Sequence, residues 1–246
     1  MNLVLDLGNT SGKIAVCEGT EVIESAGYAK ITSREISYFQ SCYSELKGAI
    51  VSSVVNHSRE IVDYLGNLFN LCIELNNSTP IPVTNRYQTP ETLGYDRIAA
   101  VVGAHTIFPA KDVLVIDAGT AITYDLVTSK GEFSGGNIAP GMEMRFKALH
   151  KFTNRLPLID PPETDINLIG TSTAEAIQSG VINGIRLEMD GIIASLINEY
   201  PKLQVVITGG DAKYFEKKLK SSIFVNLNLN LIGLNRILDY NAGEKT

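Results

Sequence analysis

Leu3-Val4-Leu5-Asp6-Leu7-Gly8-Asn9-Thr10 opens the chain, and Val113-Leu114-Val115-Ile116-Asp117-Ala118-Gly119-Thr120 repeats its grammar near the middle. Each is an apolar run that ends in Asp-x-Gly followed by an amide or a hydroxyl residue. A continuous apolar run of this length suits a strand buried on both faces. The Asp at its end sets a carboxylate where the strand leaves the core. The Gly permits a tight turn and a close approach of backbone to ligand, and the residue after it can hydrogen-bond phosphate. Meeting the device twice predicts a duplicated fold that holds one nucleotide between two halves.

Outward from these runs, the first half reads as three short strands over 3–7, 13–17 and 21–27, separated by Gly-containing turns as in a hairpin meander. A β-branched run at 49–55, a helix over 59–69 and a strand over 71–75 follow. The stretch 79–90 is expected to be loop because Pro80, Pro82 and Pro90 oppose regular structure. A helix is expected from Thr92, carrying Ile98, Ala99, Val102 and Ile107. The second half repeats the opening with strands at 113–116, 121–127 and 131–136, then a helix with Pro140 in its first turn. The longest helical pattern, 173–199, contains Gly180, Gly184 and Gly191, which suggest close helix packing or a kink. A strand at 204–207 opens into Thr208-Gly209-Gly210. The class is α/β, with halves 1–110 and 111–246.

The composition is that of an ordinary globular chain: 246 residues, 44% hydrophobic and 20% charged. A net charge of -6 argues against a nucleic-acid surface, which rests on clustered Lys and Arg. The densest basic group, Lys213, Lys217, Lys218 and Lys220, reads as a solvated helix face. Cys17, Cys42 and Cys72 share no metal-binding spacing and read as core or near-core thiols of a reducing compartment. His57, His105 and His150 read as structural. There is no signal-peptide pattern and no apolar stretch of membrane-spanning length, so a cytoplasmic protein without membrane contact is expected.

The chemistry concentrates in few places. Asp6-Leu7-Gly8-Asn9-Thr10-Ser11-Gly12-Lys13 places a carboxylate, hydroxyls and an ammonium around a turn, a set that can surround a triphosphate. Asp6 is poised to organise the Mg²⁺ that phosphoryl transfer requires. The spacing is not that of the common phosphate loop, and a plain hairpin turn reads the same residues as well. Gly135-Gly136-Asn137-Ile138-Ala139-Pro140-Gly141 is either an irregular backbone beside phosphates or a strand-to-helix turn. Thr208-Gly209-Gly210 is either an adenosine-facing backbone or an ordinary β–α turn.

Taken in order, these motifs, with Gly94-Tyr95-Asp96-Arg97 and Thr173 followed by Ala176-Ile177-Gln178-Ser179-Gly180, resemble the type III pantothenate kinases over nearly the whole chain. That resemblance implies two ribonuclease-H-like domains of the actin-like ATPase superfamily with ATP in a cleft between them. It implies ATP-dependent phosphorylation of pantothenate to 4'-phosphopantothenate, the first step of coenzyme A synthesis. Asp96 is then the general base at the pantothenate hydroxyl, with Tyr87, Gly94, Tyr95, Arg97 and Thr173 as substrate contacts. Thr173 would reach a neighbouring subunit's site, and helix capping is its plain alternative. ATP falls to residues 6–13, Thr120, Gly209 and Gly210, and a monovalent cation, K⁺ or NH₄⁺, to Asp117. A homodimer formed through the second half completes the expectation. The chain departs from the family at Tyr95, bulky where a small residue is usual, and the match at Lys13 is looser.

Two other readings stay open on sequence alone. One is another small-molecule kinase of the same superfamily, for which Gly94-Tyr95-Asp96-Arg97 would be out of place. The other is a non-enzymatic transcriptional accessory factor, against which the acidic balance weighs.

Overall fold

The computed structural model describes residues 1–8, 11–53, 59–162 and 166–243. The chain forms β1 (Asn2–Leu7), β2 (Gly12–Glu18), β3 (Glu21–Tyr28), α1 (Ser33–Cys42), β4 (Gly48–Ser53), α2 (Arg59–Leu68) and β5 (Leu71–Glu74). Then come β6 (Thr84–Asn85), a 3-10 turn (Pro90–Thr92), α3 (Tyr95–Ile107), β7 (Val113–Ala118), β8 (Ala121–Val127) and β9 (Glu132–Pro140). The remainder is α4 (Met142–Lys151), α5 (Thr173–Glu199), β10 (Gln204–Thr208), α6 (Ala212–Glu216), β11 (Phe224–Val225) and α7 (Leu229–Asn241).

The duplication is visible in the sheets. One has the order β3-β2-β1-β4-β5, and the other runs β9-β8-β7-β10-β11, with β6 added outside β9. In both, the strand that ends in Asp-x-Gly is central. β1 pairs antiparallel with β2 and parallel with β4, while β7 pairs parallel with β10. Central position explains the sequence: Leu3, Val4 and Leu5, like Val113 to Ile116, are fully or almost fully buried. A strand covered on both faces carries no polar alternation.

The chain divides into two compact units. The first holds Met1–Lys111, Val127–Gly135 and the chain from Asn228 onward; the second holds Asp112–Leu126 and Gly136–Leu227. The first core gathers Leu3, Leu5, Ile14, Val16, Ile36, Phe39, Val51 and Leu65. The second gathers Leu114, Ile116, Tyr124, Phe146, Ile182, Ile185, Met189 and Phe215.

α7 was not foreseen in the sequence, and it is central to the first unit. Its buried residues run Leu229, Leu231, Ile232, Gly233, Leu234, Asn235, Ile237 and Leu238, nearly all round the helix. It lies against α3, where every residue from Arg97 to Ala104 is buried. The two backbones touch: a Cβ on Gly233 would overlap the Ala99 carbonyl, and one on Gly103 would overlap the Leu229 carbonyl. Asn2 ties β1 to this helix, its Nδ2 donating to Asn235 Oδ1 at 2.9 Å and to Asp239 Oδ1 at 2.7 Å.

Other local expectations are corrected. Within the proline-rich stretch, Thr84 and Arg86 keep their N–H groups and donate to the Gly131 and Phe133 carbonyls, so a short strand forms between prolines. Pro140 ends β9 and does not begin a helix; Gly141 is the cap, in extended conformation. α5 is one unbroken helix, and Gly180, Gly184 and Gly191 face open space in the chain rather than a crossing helix. Cys42 is exposed, while Cys17 is buried and Cys72 half-buried. His105 lies in α3 and His150 Nδ1 meets the Leu156 carbonyl at 2.9 Å, whereas His57 falls outside the described residues.

The α3–α7 contact yields a stability test. Gly233→Ala forces the helices apart, an overpacking cost of about 1–3 kcal/mol, or a midpoint lower by roughly 2–4 °C per kcal/mol at this size. Gly66→Ala, on exposed α2 with nothing near its added Cβ, should instead raise stability by up to about 1 kcal/mol. Calorimetry that ranks the two substitutions the other way would show the helices are not in backbone contact.

Candidate active site

β1 delivers Asp6 to the edge of the first core. In the β1–β2 hairpin Asp6 sits opposite Lys13 and Leu7 opposite Gly12, and the turn closes with Gly8 N–H donating to the Ser11 carbonyl at 3.1 Å. Gly12 is packed against Ile31 and Leu7, where a side chain would crowd both. Asn9 and Thr10, expected to contact phosphate, lie outside the described residues. Ser11 and Lys13 are exposed.

The first turn of α3 supplies the partner. Gly94 is the N-cap in extended conformation, and Asp96 lies in the first turn, where helix amides favour negative charge. The Asp96 carboxylate folds back over Gly94, filling the space a side chain there would need. Its Oδ1 accepts from the Arg97 N–H at 2.8 Å. Asp6 and Asp96 are close enough to act on each other. Burial pushes the Asp6 carboxyl up to about 6, the Asp96 charge adds to the rise, and Lys13 and an Asn230 hydrogen bond oppose it.

Asn230 was missed in the sequence because α7 was missed. It stands in the first turn of that helix, and its Oδ1 is buried with no hydrogen-bond partner. An orphaned acceptor beside a carboxylate is the environment a hydrated cation completes. Among the described residues no group of three or more His, Cys, Asp or Glu side chains gathers to hold a metal. Mg²⁺ needs no such cage, since it keeps several waters and takes one or two carboxylates plus substrate phosphates. Asp6, Asp96 and Asn230 therefore fit it.

Arg97, expected at the substrate's oxygens, packs against aromatic rings beside the Asp96 turn. It is buried, with its guanidinium 5.2 Å from the centre of the Tyr87 ring and 5.8 Å from that of Phe133. The two rings are stacked with centroids 6.1 Å apart. Gly135 lies against Tyr87 with a φ of +107°, a conformation that favours glycine. Tyr87, Arg97, Phe133 and Gly135 thus form one wall next to the Gly94–Asp96 turn.

The second unit assembles the other device. Asp117 ends β7, and its carboxylate lies over Gly119 and Gly209. Gly209 has a φ of +91° and sits on the Ala118 carbonyl, and Asp211 N–H donates to that carbonyl at 2.9 Å. From another side Gly141 lies on the Gly119–Thr120 backbone, its N–H donating to the Thr120 carbonyl at 3.0 Å. Thr120 and Gly210 are exposed. Three glycine-bearing turns therefore meet around Asp117 with backbone facing backbone. Thr173 is not part of this group. It is exposed at the start of α5, and the N-cap is Ser172, whose hydroxyl accepts from Glu175 N–H at 3.3 Å.

The raised Asp6 carboxyl has a consequence for the unliganded protein. With a folded value near 6 against 3.8 unfolded, the folded state binds more protons in that window, so stability falls as pH rises through it. Asp6→Asn should stabilise the metal-free protein at pH 7.5 by on the order of 2 kcal/mol, with the gain fading toward pH 4. Urea unfolding in chelator at both pH values measures this, and an equal effect at the two would contradict it.

The geometry agrees with the comparisons to known proteins. A family model described as type III pantothenate kinase matches residues 2–195. A type III pantothenate kinase of Bacteroides fragilis is 47% identical over 244 residues, 99% of this chain and 100% of that protein. One of Phocaeicola vulgatus is 48% identical over 242 residues, 98% of this chain and 99% of that protein. Among solved structures, a Campylobacter jejuni protein named for the Baf family of transcriptional activators superposes with TM-score 0.64 at 23% identity, covering 98% of this chain and 99% of its own. A glucokinase from an Antarctic psychrotroph superposes with TM-score 0.54 at 12% identity, covering 97% of this chain and 98% of its own. At such identities the structures speak for fold alone, that of the actin-like ATPase superfamily. With the family model spanning most of the chain and relatives near half identical over almost all of it, this chain belongs to the type III pantothenate kinases.

Proposed function

We propose that the chain performs ATP-dependent phosphorylation of pantothenate to 4'-phosphopantothenate, opening coenzyme A synthesis, with Asp96 as its catalytic residue. The observation that carries this reading is the meeting of Asp6 with Asp96, where burial first and the Asp96 charge second take Asp6 from its ordinary acidity. Carboxyl groups perturbed by burial and a specific charged neighbour cluster at functional sites. In the reaction the pantothenate hydroxyl oxygen bonds to the γ-phosphorus. The bond from that phosphorus to the β,γ-bridging oxygen breaks, ADP leaves with the electron pair, and the hydroxyl proton passes to Asp96. A carboxylate is a weak base towards an alcohol, so Asp96 mainly orients the hydroxyl and takes the proton late, as the loose transition state forms. One Asp96 oxygen is held by the Arg97 amide, which fixes the direction of the other.

Asp6 holds Mg²⁺, which neutralises charge on the phosphates when bound, and Asn230 fixes the Asp6 carboxylate. ATP is contacted by residues 6–13, by Thr120, and by Gly209 and Gly210. Pantothenate lies against Tyr87, Gly94, Tyr95 and Arg97, and the Arg97 guanidinium also steadies the Tyr87 ring. Asp117 takes K⁺ or NH₄⁺. The protein works in the cytoplasm as a homodimer formed through the half 111–246, with Thr173 completing the partner's site. Exposed Leu187 and Ile197 on α5, together with its open glycines, support that surface. No described helix is long and apolar enough to cross a membrane.

A coupled kinase assay tests the reading. Asp96→Asn keeps the shape and removes the accepting charge, so kcat should fall about 10²- to 10⁴-fold with ATP affinity little changed. Thr10→Ala should weaken ATP first and spare pantothenate. The wild-type rate should climb sharply when K⁺ replaces Na⁺, and Asp117→Asn should blunt that response. Near-normal turnover in Asp96→Asn would remove Asp96 from the chemistry, and equal rates in both salts would remove the monovalent cation. Sedimentation should give a dimer; a catalytically competent monomer would exclude the shared site.

A further inference from the structure

Glu188, in the middle of α5, lies outside every motif that marks the family resemblance, yet the second unit's hydrogen bonds converge on it. One carboxylate oxygen accepts from the buried Tyr124 hydroxyl of β8 at 2.7 Å, and the other accepts from Arg145 of α4 at 2.8 Å. Arg145 uses a second arm of its fork, Nε, to donate to the Pro140 carbonyl at 2.8 Å. The peptide that carries this carbonyl also carries the Gly141 N–H, which donates to the Thr120 carbonyl at 3.0 Å. Its two polar ends are therefore both engaged, one by Arg145 and one by the turn assigned to ATP. A peptide unit is planar and rigid, so turning the carbonyl turns the N–H with it.

Gly141 makes this lever tight. Its backbone lies so close to Gly119 and Thr120 that no side chain fits between them. Small rotations of the Pro140–Gly141 peptide must then move the Thr120 turn or break the hydrogen bond to it. Arg145 can hold two acceptors at fixed angles only because guanidinium is a planar fork, and Glu188 fixes the fork in turn. With the pair only partly exposed, at 20% and 31% of side-chain surface, water competes weakly for it.

We propose that Glu188 is a positioning residue for ATP, acting through Arg145 and the Pro140–Gly141 peptide on the Thr120 turn. The inference rests on the placement of ATP at Thr120. Glu188→Gln preserves size and an acceptor for Tyr124 but removes the charge that holds Arg145. Arg145→Lys keeps the charge but loses the second arm to Pro140. Each should raise the KM for ATP about tenfold, the loss of one charge-assisted hydrogen bond, with kcat within about twofold of wild type and the KM for pantothenate unchanged. The double variant should be no worse than either single one, because both break the same chain. Tyr124→Phe should lower the melting midpoint and leave the KM for ATP alone.

Thr120→Ala separates the two ideas. An unchanged KM for ATP in that variant removes ATP from Thr120 and refutes the underlying placement. A raised KM there, with an unchanged KM in both Glu188→Gln and Arg145→Lys, refutes the positioning role. Lower melting midpoints in all three network variants with no change in KM for ATP would likewise make the network purely structural. Titration of the folded variants with a non-hydrolysable ATP analogue, well below each midpoint, reads the same difference as affinity. If Glu188→Gln fails to fold, Arg145→Lys carries the measurement.

Discussion

Two glycines set the geometry of the first unit around Asp6. Where Gly103 meets Leu229 and Gly233 meets Ala99, the backbones of α3 and α7 touch with no side chain between them. Helix axes separated by ordinary side chains stay 8–10 Å apart, and removing the side chains at a crossing lets them come nearer. Everything chemical in the unit hangs on the result. α3 presents Asp96 in its first turn, α7 presents Asn230 in its own first turn, and both reach the Asp6 carboxylate at the end of β1. β1 is itself anchored to α7 through Asn2, Asn235 and Asp239. The site is precise because it stands on three rigid elements in mutual contact, and no loop sets the positions of these three side chains.

That precision is used to hold an unfavourable arrangement. The Asp6 carboxyl is withdrawn from water beside the exposed Asp96 carboxylate, and among the described residues Lys13 and the Asn230 amide oppose the strain on Asp6. Desolvation is the larger penalty and the neighbouring charge the smaller one, which argues that the site is built to be filled by something positive. A divalent ion reverses both penalties at once, since it supplies charge and takes the place of lost hydration. Under the proposed placement of Mg²⁺ at Asp6, the folded protein gives up stability in the empty state and offers a metal–nucleotide complex ligands that need no rearrangement.

The sequence disclosed the parts of this that depend on local pattern. The two Asp-x-Gly runs named the central strand of each sheet, and the shared order of strands around β1 and β7 is the duplication they announced. Three features escaped because their causes are not local. α7 is apolar almost all round, so it shows no helical stripe, and Gly233 in its middle reads as a breaker until α3 is seen lying against it. β6 exists only because Gly131 and Phe133 offer carbonyls to a segment otherwise bounded by prolines. The glycines of α5 suggested a kink; the helix continues through them because α-helical geometry tolerates glycine when tertiary packing at Ile177, Val181, Ile185 and Met189 holds the rest. Arg97 was readable as a charge beside Asp96, but not as the cation beneath Tyr87 and Phe133, since Phe133 lies in a distant strand.

The duplicated device has diverged in what surrounds it, and the divergence matches the division of labour proposed above. Asp6 is set among side chains with charge and hydrogen-bonding capacity, Asp96, Lys13 and Asn230, the equipment for a reacting centre. Asp117 is set among glycines, with Gly119, Gly141 and Gly209 bringing bare backbone to the same turn. Backbone carbonyls and amides recognise shape and phosphate without committing a proton, and they hold their positions only when something fixes the peptide planes. Gly141 cannot do that for itself, because it lacks a side chain to lock its conformation. Fixing has to come from the residue on the other side of its peptide, Pro140, whose carbonyl is gripped by Arg145. With ATP placed as proposed, this backbone-built site transfers its rigidity requirement outward, to a salt bridge that never needs to touch the nucleotide.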